Sequence, residues 1–174
     1  YYFEINLKNS LLKIHCEYSI EIKKLQDDDL AYLSKNLPKR DYENFVYSQN
    51  DGDCFGIYVC SQLTGFVWIN DDFVYLKGKR ILKLINNGSF AYGGYMLGPY
   101  RGKNIFKKSL EYIYNLKKSE GKSYFAGFVD LHDPIAMSVQ KGFTNKFLFL
   151  WLMKLPFNKK IILGPKIGHG KQAE

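Results

Sequence analysis

The chain lacks any long apolar run. Across 174 residues, the longest uncharged apolar stretch near the C-terminal end is residues 147–153, seven residues closed in by Lys146 and Lys154. A membrane-spanning helix needs about 20, so membrane insertion is not expected, and no signal peptide is visible. Because the chain begins with Tyr1 rather than Met, its natural start is expected to lie upstream. Cysteine is scarce: Cys16, Cys54 and Cys60 are odd in number and lack metal-ligand spacing. That argues against a disulfide framework and against a metal site, and favours reduced thiols in a cytoplasmic protein. There is also no dense basic block. The net charge of +8 comes largely from lysines in pairs such as Lys23-Lys24 and Lys117-Lys118. With no recognition helix or aromatic–basic platform, nucleic acid is not an expected partner. Internal repeats and domain linkers are absent too, so residues 1–174 read as one domain.

What the chain does have is 46% apolar and 17% aromatic residues, enough for a sizeable core. Alternation marks short strands over residues 3–8 and 18–23. Asp27-Asp28-Asp29 supplies N-caps for a helix through Leu37, and a second helix fits 41–48. Residues 55–60 and 65–69 read as a hairpin, 70–88 as a longer excursion, and 90–97 as a strand. The best helical signal begins at Ile105, with Ser109, Tyr112, Ile113 and Leu116 on one stripe and Glu111 and Lys117 mostly elsewhere. A buried strand at 123–129, a short helix at 134–140 and a strand, or two with a bend, at 146–155 follow.

The chain is organised around Met96-Leu97-Gly98-Pro99-Tyr100-Arg101-Gly102-Lys103-Asn104-Ile105-Phe106. Here a strand ends in a glycine-containing turn and opens into a helix. The first helical N–H groups lack partners, the helix dipole adds positive character, and Arg101 and Lys103 add charge, which together suit a phosphorylated ligand. By alternation, Tyr92 and Tyr95 fall on opposite faces of the strand.

At this stretch the chain resembles the GNAT superfamily of N-acetyltransferases. Pro99-Tyr100-Arg101-Gly102-Lys103-Asn104 resembles their acetyl-CoA loop, and Lys141-Gly142-Phe143 a later signature. The resemblance covers about residues 18–155, leaving 1–17 as an extra N-terminal strand and 156–174 as a peripheral tail. It implies an α/β (α+β) fold: a mixed, mostly antiparallel sheet whose fourth and fifth strands run parallel and splay at the acetyl-CoA site, with helices on both faces. It implies a cytoplasmic enzyme moving acetyl from acetyl-CoA to a small primary amine, an amino sugar or amino-acid-like metabolite, by direct attack. Met96, Leu97, Gly98, Arg101, Gly102, Lys103, Asn104, Ile105 and Phe106 would hold the cosubstrate, and the Leu97 N–H would polarise the thioester carbonyl. His132 and Tyr95 are the acid–base candidates, with Asp130 and Tyr92 behind them, and Asp71 and Asp72 are candidates to attract the amine. Asn104 and Phe106 stand where the family has small residues. Asn tolerates left-handed backbone angles, and Phe106 is expected to turn into the core. Val139 and Gln140 stand where the family often has a tyrosine. The resemblance leaves two readings of residues 147–153: the pairing edge of a homodimer, since several relatives pair through their C-terminal strands, or an inner strand. The alternatives are a protein-modifying or longer-chain acyltransferase, or a non-catalytic CoA-binding module.

Overall fold

The computed structural model describes residues 2–6, 13–39, 52–76, 79–84, 86–128, 147–148, 151–154 and 160–163. The helices expected over 41–48 and 134–140 lie outside these, as do Asp130, His132, Lys141-Gly142-Phe143 and His169.

The strands are β1 (Tyr2–Asn6), β2 (Ile20–Lys24), β3 (Asp53–Val59), β4 (Gln62–Asn70), β5 (Phe73–Leu76), β6 (Lys79–Lys83), β7 (Gly88–Met96), β8 (Tyr124–Phe128), β9 (Phe147–Leu148), β10 (Trp151–Lys154) and β11 (Lys160–Leu163). The helices described are α1 (Asp27–Asn36) and α2 (Ile105–Ser119). Seven strands form the main sheet in the order β2-β3-β4-β7-β8-β1-β9. All pairs in it are antiparallel except β7–β8, which is parallel from Gly88↔Tyr124 to Ala91↔Gly127. The parallel pair is thus the seventh and eighth strands of this chain, not the fourth and fifth. The count shifts because β1 precedes the shared elements and the excursion after β4 folds into a hairpin.

That hairpin, β5–β6, forms its own two-stranded sheet. It starts where the Asn70 side-chain oxygen accepts the N–H groups of Asp72 (2.8 Å) and Phe73 (2.6 Å), a local turn that sequence alternation does not reveal. The extra N-terminal strand is no appendage. β1 sits inside the sheet, between β8 and β9, in register from Tyr2↔Phe128 to Asn6↔Tyr124. The C-terminal tail, expected to be peripheral, contributes β11, which pairs with β10 in a separate ribbon. The last expected strand is therefore two, β9 and β10, in different sheets.

The two helices cover opposite faces. On one face Leu30, Leu33 and Leu37 at α1 pack with Cys54, Phe66 and Trp68. On the other, Leu110, Ile113 and Tyr114 of α2 pack with Phe55, Val67, Ile69 and Phe125. β3 and β4 alternate between these clusters as pleating requires. Each fully buried side chain, Ile113 among them, contributes about 1.5–3 kcal/mol by leaving water. The N-cap of α1 is not an aspartate but the residue before them, Gln26, whose N–H donates to the Asp29 carboxylate (3.1 Å).

The buried stripe of α2 departs from its sequence pattern. Tyr112 is 52% exposed, whereas Glu111 and Lys117 are buried. Partners from elsewhere draw these charges inward. Glu111 accepts from the Ile14 N–H and pairs with Lys108 (2.9 Å). Lys117 pairs with Asp71 (3.0 Å) and Glu120 (2.9 Å).

Candidate active site

The candidate site is built at the end of β7. The described β7–β8 pairs run to Ala91↔Gly127, and β7 continues through residues 92–96, which among the described residues pair only with β4. Gly93 and Gly94 are exposed there, in the middle of the main sheet. A bulge lies in this stretch: Trp68 faces Tyr92 and Phe66 faces Tyr95, so two steps on β4 match three on β7, and Gly93 takes φ +59°. Only glycine does this without strain.

The bulge overturns the expected alternation. Tyr92 and Tyr95 lie on the same face, stacked on Trp68 (6.4 Å between ring centroids) and Phe66 (5.8 Å) respectively. Gly94 and Met96 fall on the α2 face instead: a Cβ on Gly94 would meet the Phe106 ring, and Met96 packs with Ile57, Val59 and Ile105. The Gly93-Gly94 pair inside a strand pattern was the signal for it.

Beyond β7 the chain makes one short 3-10 turn, Gly98–Tyr100, then a loop with two left-handed residues, Gly102 (φ +75°) and Asn104 (φ +57°). Asn104 thus does what its residue type allows, and it is the N-cap of α2. The first intrahelical bond runs from the Lys108 N–H to the Asn104 carbonyl (2.9 Å), which leaves the N–H groups of Ile105, Phe106 and Lys107 without helical acceptors. Nothing lies within 4 Å of where a Cβ on Gly98 or Gly102 would sit. Ile105 is core, and Phe106 packs into both clusters beneath α2 rather than over the loop.

The charged residues divide. The Arg101 Nε–H donates to the Met96 carbonyl (2.8 Å), and the guanidinium lies 5.2 Å from the Tyr95 ring centroid. Arg101 therefore folds back on the end of β7. Lys103 is exposed, its ammonium 5.4 Å from the Tyr18 ring and 5.9 Å from the Tyr100 ring. Sequence reasoning missed the partners that hold this loop. The Cys16 thiol contacts the Lys103 carbonyl (3.7 Å), and the Tyr100 hydroxyl donates to Gln62 (3.0 Å). Neither Cys16 nor Gln62 carries a local motif.

Leu97 does not offer the donor expected of it, because its N–H donates to the Thr64 carbonyl (2.8 Å) as β4 pairing continues. Successive strand residues direct their backbone groups to opposite edges. The Met96 N–H therefore faces the other edge, where the Met96 carbonyl meets Arg101.

Asp71 is not an amine attractor. It accepts from the Ser89 hydroxyl (2.6 Å) and pairs with Lys117 (3.0 Å) and Lys122 (3.4 Å). Burial pushes its carboxyl up, but these hydrogen bonds and positive charges outweigh it and hold the group below its usual range. Burial likewise pushes Lys117 down, and its bonds to Glu120 and Asp71 more than reverse that. Burial alone pushes the Cys54 thiol far up, which suits packing rather than reactivity. All three cysteines are free, and no described helix is long and apolar enough to cross a membrane. His15 is exposed.

The arrangement among the described residues is a strand edge without a strand partner, a donor-rich loop and a helix N-terminus, and the fold that carries it is shared with solved N-acetyltransferases. Solved structures with this fold include the ribosomal-protein-alanine N-acetyltransferase of Brucella melitensis, 16% identical, with a TM-score of 0.54 over 74% of this chain and 93% of that one. AAC(6')-Iy in complex with a bisubstrate analogue, CoA-S-monomethyl-acetylneamine, is 13% identical, with a TM-score of 0.54 over 85% and 98% of the two chains. The same aminoglycoside N-acetyltransferase in complex with CoA gives a TM-score of 0.51 at 14% identity, over 79% and 97%. No protein-family model matches the sequence, and neither does any curated protein.

Proposed function

We propose that the chain is an N-acetyltransferase that moves acetyl from acetyl-CoA to a primary amine of a small molecule. The observation that carries this is the edge of β7 at residues 92–96, which has no strand partner among the described residues and runs directly into a loop of backbone donors at the N-terminus of α2. The residues fit the cosubstrate. The open space about Gly102, the left-handed Asn104 and the donors of Ile105, Phe106 and Lys107 suit a pyrophosphate. Lys103 adds a charge that has no carboxylate partner among the described residues, while Arg101 braces the end of β7.

The chemistry asked of the protein is alignment of amine and thioester and stabilisation of the carbonyl oxygen as charge develops there. The Met96 N–H takes the second role in place of Leu97. α2 seals one face of the gap through Ile105 and Phe106, so the amine approaches from the face of Tyr92 and Tyr95. His132 remains the proposed proton acceptor, with Tyr95 beside the reacting end. Both aminoglycoside and ribosomal-protein acetyltransferases share this fold. The acceptor proposed for this chain is the small amine.

Calorimetry with acetyl-CoA tests the reading. Binding in the micromolar range, followed by thiol release with an amine panel, is the expected result. No binding of acetyl-CoA or CoA would refute it. A His132→Ala variant with unchanged turnover and pH profile would remove His132 from the mechanism.

A further inference from the structure

Arg101 directs its guanidinium at the chain's own backbone. Its N–H closes the short turn onto the Gly98 carbonyl (3.2 Å), and that turn returns residue 101 to the end of β7. There the Nε–H reaches the Met96 carbonyl (2.8 Å), while the guanidinium lies over the Tyr95 ring, itself stacked on Phe66 (5.8 Å). A planar guanidinium serves a carbonyl and a ring face at once, which a compact ammonium does not. Arg101 is exposed, and no carboxylate pairs with it among the described residues. Its charge is therefore not cancelled locally.

The carbonyl that accepts this bond is a particular one. In antiparallel pairing the N–H and C=O of one residue point to the same edge. Leu97 gives its N–H to Thr64 on β4, so both groups of its neighbour Met96 face the other edge. An oxygen bound by the Met96 N–H lies beside the Met96 carbonyl oxygen. Both oxygens are negative, and their repulsion grows as the thioester oxygen gains charge. The Arg101 guanidinium, bonded to that carbonyl, offsets its dipole and sets a positive charge near the developing oxyanion. Such charges act most strongly when fixed before the reaction. The turn, the Met96 bond and the Tyr95 ring fix this one.

Building on the transferase reading and its Met96 donor, we propose that Arg101 is a positioning residue of the oxyanion site, acting through the Met96 carbonyl, and not a ligand of the pyrophosphate. The phosphates are left to the N–H groups that open α2 and to Lys103.

The test uses the full chain and acetyl-CoA isotope-labelled at the thioester carbonyl. Infrared difference spectroscopy reads the stretch of that carbonyl, which falls in frequency as the group is polarised, and calorimetry reads affinity. The expected wild-type result is a lower stretch for bound than for free acetyl-CoA. Arg101→Gln, which keeps an amide donor but no charge, should lose most of that shift with Kd and Tm unchanged. Arg101→Lys, which keeps the charge, should retain more of the shift than Arg101→Gln. Weaker binding with the shift intact would place Arg101 on the phosphates and overturn the proposal. So would a shift absent from the wild type or unchanged in Arg101→Gln. An equal loss in both variants with a lower Tm would make Arg101 a structural prop of the turn and overturn it too. If the wild type fails to bind acetyl-CoA, calorimetry reports it and the transferase reading falls with the proposal, whereas bound acetyl-CoA indifferent to Arg101 sinks the proposal alone.

Discussion

Gly94→Ala should destabilise the protein through one residue, Phe106. The new Cβ would sit 2.7 Å from the Phe106 ring tip, where ordinary contact begins at 3.4 Å. Gly94 has an ordinary strand φ, being absent from the positive-φ positions, so alanine meets no backbone penalty there. The ring cannot simply swing aside. It is wedged between the cluster of Leu110 and Ile113 and that of Met96 and Ile105. Overpacking of this kind costs about 1–3 kcal/mol, and at this chain length each kcal/mol lowers Tm by about 2–4 °C. Phe106→Ala alone should cost about 2–3 kcal/mol, at the low end for phenylalanine because the ring is half-buried. In the Phe106→Ala background the Gly94 substitution should cost almost nothing, a coupling of at least about 1 kcal/mol by urea denaturation. Equal costs in both backgrounds would refute the packing argument, and with it the placement of Phe106 in the core rather than over the loop.

At the β3–β4 turn, Cys60 (φ +50°) and Ser61 (φ +64°) both adopt left-handed angles that suit Asn-Gly. Cys60→Asn with Ser61→Gly should raise stability by about 1 kcal/mol, and a lower Tm would contradict the turn assignment. Asp71→Asn should cost about 1–3 kcal/mol by leaving buried Lys117 with Glu120 alone. Because the folded Asp71 pKa is depressed, its stabilisation is present above the unfolded value near 3.8 and is lost as pH falls through the folded value. Because the folded Lys117 pKa is raised, its share is intact below 10.5 and is lost only as pH rises through the higher folded value. A smaller loss of stability in acid for Asp71→Asn than for the wild type would support this; an equal loss would not. Lys103→Glu should weaken acetyl-CoA binding by about tenfold or more while leaving Tm unchanged. Unchanged affinity would place Lys103 in solvent.

Local pattern sufficed where local physics decides. Strand alternation at β2 through β4, the helix beginning at Ile105 and the glycine turn after β7 depend on neighbours three or four residues away, and all were legible. So was the tolerance of Asn104 for its left-handed angle. What the sequence by itself could not determine rests on partners distant along the chain. β1 enters the sheet only because β8 offers it an edge, and Glu111 and Lys117 are buried only because Ile14 and Asp71 arrive to satisfy them. Tyr92 and Tyr95 share a face because β4 pairs with β7 across a bulge, and Thr64 takes the Leu97 N–H for the same reason. The glycine-containing turn and the helix N-terminus after it were therefore written in one stretch of residues. Which backbone N–H groups β4 takes and which face each tyrosine occupies was decided by the register of β7 on β4, and a register between strands has no local code.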